Sequence, residues 1–197
     1  LYTWTVDVDG SDFGGRGNSM TATINGLQTI LDIFDQYHIK AIFFFSTEMF
    51  STGFTEGYDY LVDKVKDRGH EIGSHGHFHI RYKSTSRMIE DKVLSQYAMR
   101  RVTGNLYPRY RAPWFQLETE DIYSRKKNHV SILKQSWFAG MLPEKPIFYI
   151  HPSDIVEWER WVVPPTLFTK ILYSRPQHVL DTFKRLCRLY PYSHIQG

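Results

Sequence analysis

Apolar and polar positions alternate at the start of the chain, then fall at helical spacing, and this exchange of period recurs to the end. Leu1–Val8 (LYTWTVDV) alternates and is rich in β-formers, which predicts a strand. Met20–Tyr37 places Ile24, Leu27, Ile30, Leu31, Ile33 and Phe34 along one helix face. Lys40–Ser46 (KAIFFFS) is a continuous apolar run of strand length, as expected of a strand buried on both faces. Tyr58–Arg68 predicts a helix ended by Gly69, Glu71–Ser74 a short strand, and Ser84–Thr103 a helix ended by Gly104. Tyr107–Arg111 and His129–Leu133 read as strands, with a helix between them at Glu118–Lys127. Pro146–Ile150 (PIFYI) predicts a buried strand, and Asp154–Pro165 a loop containing Trp158 and Trp161. Gln177–Leu189 is an amphipathic helix, and Tyr192–Gln196 a last strand. Strands alternating with helices imply parallel βα units, hence an α/β fold. A count of roughly seven or eight strands suits a closed or distorted barrel better than a short open sheet. Neither an internal repeat nor a linker interrupts the pattern, so a single domain is expected over residues 1–197.

The candidate chemistry falls at the ends of the predicted strands. Glu71–Tyr82 reads EIGSHGHFHIRY, with histidines at positions 75, 77 and 79. His75 and His79 are four apart, so one turn or tight loop brings both imidazoles to one side, and imidazole is the commonest nitrogen ligand for divalent metals. Asp7 and Asp9 lie two apart on the first strand, which directs both carboxylates to the same side. Arg111 and His151 also lie just past predicted strands. In a βα barrel that end holds the active site. The loop Gly10–Ser19 is glycine-rich but lacks the spacing and the Lys-Ser/Thr of a phosphate-binding loop.

Composition narrows the classes further. Hydrophobic residues make up 42% of the 197 and charged residues 23%, ordinary for a globular protein, whereas the aromatic fraction of 16% is high. Such an excess suits an aromatic-rich core and also a sugar-binding cleft. The net charge of +3 is spread without long basic runs; Arg125–Lys127 is the densest patch, so nucleic acid is not an expected partner. The single cysteine, Cys187, excludes an internal disulfide and reads as a small buried hydrophobe. No apolar run approaches the roughly 20 residues of a membrane span. The first residue is Leu1 rather than Met, which leaves room for a removed upstream signal or anchor.

Four segments in order, TVDVDG (Thr5–Gly10), SHGHFH (Ser74–His79), RAPW (Arg111–Trp114) and FYIH (Phe148–His151), resemble the motifs of carbohydrate esterase family 4, the polysaccharide deacetylases or NodB-homology domains. The phrases GHEIGSH and KAIFFFS also resemble that family, so the likeness covers nearly the whole chain. It implies a distorted β/α barrel and metal-dependent removal of N-acetyl groups from amino sugars of a polymer such as peptidoglycan, a chitin-like glycan or an exopolysaccharide. It further implies Asp9, His75 and His79 as metal ligands. Zinc is the first choice, and cobalt, nickel or iron(II) suit the same ligands. Asp7 would be the base, Arg111 its orienting partner, and His151 the acid that protonates the leaving amine. The backbone N–H of Trp114 would serve the oxyanion, and Trp137 and Phe148 would wall the acetyl pocket. An extracytoplasmic or cell-envelope setting is also what the resemblance implies. A deformylase-like amidohydrolase acting on a small or lipid-linked sugar, and a glycan-binding module without turnover, are the alternative readings.

Three departures from the family pattern stand out. Val8 separates two aspartates that are commonly adjacent in the family. Gly76 replaces a Ser or Thr whose hydroxyl would brace the histidine loop. Ile132–Trp137 (ILKQSW) lacks the aspartate expected to tune the catalytic histidine, with Lys134 near its place and Asp154 the nearest carboxylate in sequence. Of the other histidines, His77 is expected to pack within its loop, and His38, His70, His129, His178 and His194 to be structural or surface residues.

Overall fold

Among the described residues the strand Thr3–Val8 (β1) forms the middle of a parallel sheet of five strands, in the order β3-β2-β1-β5-β4, against the seven or eight expected. The computed structural model describes residues 2–9, 20–50, 57–104, 109–115, 128–137, 141–156 and 174–191. β2 is Ile42–Phe45, β3 Glu71–Ser74, β4 His129–Ser131 and β5 Ile147–Ile150. The helices are α1 (Met20–Gln36), α2 (Tyr60–Asp67), α3 (Thr85–Thr103), α4 (Ile132–Trp137) and α5 (Pro176–Leu189). The predicted elements at 118–127 and 192–196, and Trp158 and Trp161, lie outside the described residues.

β1 is hydrogen-bonded on both sides. Thr5 pairs with Ile42 of β2 and with Tyr149 of β5, and this register decides what each face carries. Trp4, Val6 and Val8 join Phe43, Phe45, Phe148 and Ile150 in the main core. There Trp4 stacks on Phe148 with centroids 4.6 Å apart, and meets Phe34 of α1 and Phe183 of α5 edge-on. Such aromatic pairs add to the stabilisation from burial alone. The opposite face of β1 carries Thr3, Thr5 and Asp7, beside the smaller cluster of Ile42, Phe44 and Ile147. All four residues of β2 are fully buried, as the apolar run predicts.

Two strand expectations change in the structure. The predicted strand 107–111 is, among the described residues, one bridge between Tyr110 and Ser74, extended by bonds from Ser74 N–H to the Arg109 carbonyl and from Arg111 N–H to the Ser74 carbonyl. The predicted strand 129–133 stops at Ser131, whose hydroxyl accepts the Lys134 N–H at 3.3 Å and so starts α4. Residue 154, predicted as the start of a loop, lies in a 3-10 turn over Pro152–Ile155. That turn is set against α1 at Gly26, where an added Cβ would lie 2.1 Å from the Pro152 carbonyl oxygen. The helix therefore supports the turn that follows β5 by direct backbone contact.

Candidate active site

The C-terminal ends of β1, β3 and β5 bring Asp7, Asp9, His75, His79 and His151 together, with Arg111 reaching in from the segment bridged to β3. In parallel sheets ligands bind at this end, where neighbouring connections diverge. β1 is such a position, since the chain runs to one side of it through β2 and β3 and then crosses to its other side for β4 and β5.

His75 is aimed by its backbone and its ring. Its N–H donates to the Phe45 carbonyl at 2.8 Å. Its Nδ1 lies 2.9 Å from the Arg111 carbonyl oxygen. A carbonyl only accepts, so Nδ1 carries the proton and Nε2 presents a lone pair. That Nε2 stands 3.7 Å from Asp9 Oδ1. His79 Nε2 is 3.3 Å from the same oxygen. Asp9 Oδ1 is buried and accepts no hydrogen bond among the described residues. One ligand atom from each of the three lies within 4.8 Å of the others. Ligand atoms sharing a tetrahedral ion at ordinary bond lengths sit roughly 3.3 Å apart, so the donor set fits a divalent cation. Burial, only partly opposed by Asp9, lowers the His79 pKa to about 4, which keeps it in the neutral form that binds metal.

Asp7 is paired differently. Arg111, fully buried, donates from Nη1 to Asp7 Oδ1 at 2.5 Å and from Nη2 to the Thr5 hydroxyl at 2.9 Å. Thr5 in turn donates to the Phe148 carbonyl at 2.9 Å. Arg111 Nη2 also reaches His129 Nε2 at 3.2 Å, and guanidinium only donates, so this nitrogen accepts. The guanidinium lies 4.4 Å from the centre of the Phe44 ring. Burial pushes the Asp7 carboxyl upward, but Arg111, His75 and His151 together hold it at about 2.

His151 caps the 3-10 turn after β5. Its N–H donates to Asp154 Oδ2 at 2.9 Å, and its Nδ1 lies 3.2 Å from the same oxygen. Its Nε2 faces the site, 3.7 Å from Asp9 Oδ2. Burial depresses the imidazole, yet Asp154 and then Asp9 and Asp7 more than offset this, leaving its pKa raised to about 9. Asp154 thus supplies the charge partner that residues 132–137 lack. Because the folded value lies above the ordinary 6.5, the charged ring adds stability that is complete below about 6.5 and lost as pH rises through about 9. Asp154→Asn is expected to lower the His151 pKa and to narrow that window, with Asp9 and Asp7 still acting on the ring. An NMR titration of the metal-free variant checks this, and an unchanged midpoint would remove Asp154 from the role.

The structure corrects one assignment and extends the set. Phe148 is fully buried against Trp4 on the far face of β5, so it cannot wall a pocket at this site. Tyr149 is the β5 residue on the site face, its ring 5.9 Å from His151 and 5.8 Å from Phe115. His129, expected to be structural or on the surface, belongs to the Arg111 cluster. His77 bonds to the Thr47 hydroxyl at 2.9 Å, as a loop-packing residue should. Trp114, with φ of 59°, stands beside His79 at 5.7 Å, with the Arg81 guanidinium 4.6 Å from its ring centre. The side chain of Trp137 lies outside the described residues. Thr5 is the residue that sequence reasoning missed, accessible from its spacing two before Asp7, whereas Asp154, three after His151 behind a proline, was in view as the nearest carboxylate.

The chain is 31% identical over 129 residues to a peptidoglycan deacetylase of Helicobacter pylori, an alignment covering 59% of this chain and 42% of that protein. The chain thus spans less than half the length of the curated relative it matches. Its fold resembles a family 4 acetyl xylan esterase from Clostridium thermocellum solved with a cobalt ion (TM-score 0.58, 14% identity, 99% of this chain and 87% of that one). It also resembles a family 4 pseudoenzyme from Bacillus anthracis (TM-score 0.57, 13% identity, 96% of this chain and 61% of that one). A family model described as polysaccharide deacetylase matches residues 22–129, a span that holds His75, His79, Arg111 and Trp114 and omits Asp7, Asp9 and His151. That span is more than half of the chain, which belongs to the polysaccharide deacetylases, the family 4 carbohydrate esterases of NodB-homology fold.

Proposed function

We propose that this protein is a metal-dependent deacetylase that hydrolyses N-acetyl groups on amino sugars of a polysaccharide, peptidoglycan, chitin-like or exopolysaccharide. The observation that carries the reading is the meeting of Asp9, His75 and His79 beside an Asp7 paired with Arg111 and a His151 held by Asp154. Asp9, His75 and His79 would hold the cation, zinc by first choice. When bound, a divalent cation supplies a Lewis acid that makes water more acidic and polarises the amide carbonyl.

The chain's own groups do the rest. Asp7 accepts a proton from the attacking water, and Arg111 keeps it ionised and oriented. The water oxygen bonds to the amide carbon, and the backbone N–H of Trp114 serves the oxygen that gains charge. His151 enters in its acid form, with Asp154 fixing Nδ1, and its Nε2 gives a proton to the departing nitrogen as the C–N bond breaks. Acetate and a free amine result, so the atoms balance without a further reactant. Trp114, exposed beside the triad, offers a ring face on which a sugar can lie.

The test is acetate release from N-acetylglucosamine oligomers and from peptidoglycan, with and without chelator. Release is expected to stop on chelation and return with added zinc or cobalt. Release that persists in the stripped protein would overturn the mechanism.

A further inference from the structure

α3 carries one buried carboxylate that the reaction does not use. Asp91 is 2% exposed. Its partners are the N–H of His77 at 3.0 Å, the N–H of Phe78 at 2.9 Å and the Tyr82 hydroxyl at 2.7 Å. No lysine or arginine pairs with it among the described residues. A carboxylate buried without a cation is costly unless charge-assisted hydrogen bonds satisfy it. Here all three bonds end in the stretch that begins with His75 and His79. His77 and Phe78 are two of the three residues between those imidazoles, so Asp91 grips the backbone that sets their separation.

The loop is shaped around this grip. Gly76 has φ of +81°, and an added Cβ there would lie 2.5 Å from Asp91 Oδ2. The position therefore excludes the hydroxyl-bearing residue expected from the family pattern, and a carboxylate from α3 stands in its place. On the other side, Thr47 N–H donates to the Gly76 carbonyl at 3.0 Å and Glu48 N–H to the His77 carbonyl at 3.1 Å. His79 itself sits in left-handed backbone at φ of 49°. A non-glycine residue persists there only when its surroundings over-determine it. Docking of α3 rests on other residues of the same face. Ser95 bonds to Ser74 at 2.7 Å, and Met99 is buried in the core.

We propose that Asp91 is a positioning residue for cation binding: it holds the 75–79 loop so that the two imidazoles converge on Asp9. This rests on the reading of Asp9, His75 and His79 as a metal site. Asp91→Asn keeps the size of the side chain but can accept only one of the two N–H bonds, and its amide faces the other donor. Outer-shell changes of this kind typically weaken metal binding by about 10- to 100-fold.

The experiment measures zinc and cobalt affinity of chelator-stripped protein by competition with a chromophoric chelator, together with the visible spectrum of the cobalt form. In parallel it measures melting of the metal-free protein. Asp91→Asn is expected to lose about tenfold or more in affinity and to shift the cobalt spectrum, with metal-free melting close to wild type. Ser95→Ala should do the reverse, lowering the melting point and leaving affinity intact. Wild-type affinity and spectrum in a folded Asp91→Asn would overturn the proposal and leave Asp91 as a helix anchor. Should that variant not fold, Tyr82→Phe removes the hydroxyl bond to Asp91 and is expected to weaken cobalt binding roughly two- to fivefold. No change in it would overturn the proposal equally. Failure of the wild-type protein to bind either cation would remove the metal-site reading instead.

Discussion

Asp7→Asn is expected to lower kcat/KM for deacetylation by between roughly 10² and 10⁴, the range for loss of a positioned general base. The substitution keeps the shape of the side chain and one acceptor for Arg111, but a carboxamide cannot take a proton from water. Binding of substrate and cation should survive, so the loss is expected in kcat with KM and metal content little changed. Steady-state acetate release, with metal content measured on the same samples, checks this. A fall of less than about tenfold would mean that another group takes the proton. With its carboxyl held at about 2 by Arg111, His75 and His151, Asp7 stays ionised well into the acid range, so an acid limb in the pH profile of the wild type should come from another group.

Arg111→Met is expected to cost about 3–5 kcal/mol of folding stability at neutral pH, the usual result of removing one partner from a buried ion pair. The residue is fully buried, and its guanidinium serves Asp7, Thr5 and His129 at once. Without it, burial acts on Asp7 with less opposition, and the carboxyl pKa rises. The sign of the pH dependence then reverses. In the wild type the folded value of about 2 lies below the ordinary 3.8, so Asp7 contributes stability above about 3.8 that is lost as pH falls through about 2. In the variant a raised folded value makes ionised Asp7 a penalty above the unfolded pKa, so its deficit should shrink in acid. Denaturant melts at about pH 7 and about pH 4 test this. A deficit equally large at both would mean that lost packing over Phe44, rather than the unpaired carboxylate, carries the effect.

How far the sequence could be read depended on whether a pattern had a second face to compare with. α1 and the core of β2 match expectation because their apolar spacing is long or unbroken. Asp7 and Asp9 were legible as a pair because strand period alone sets them on one side. The same rule could not say which face of Ile147–Ile150 meets the cleft, since all four residues are apolar. The pairing of Thr5 with Tyr149 decides it, and sends Phe148 into the core. His129 becomes legible only when Arg111, 18 residues earlier, is known to cross to it. Asp154 sits three residues from His151 but binds it only because the chain turns tightly after Pro152. With that contact in place, His151 has a carboxylate beside it although residues 132–137 offer none.

The seating of β1 between two parallel neighbours has a consequence for how such a protein can diversify. A one-residue slip or deletion in that strand would turn both carboxylates into the aromatic core and deliver Trp4 and Val6 to the cleft. Variation in what the cleft accepts is thereby confined to the crossings between elements, where length and side chains can change without disturbing the chemistry. The strand is a fixed rail, and any selectivity of the cleft has to be sought in what is hung around its end.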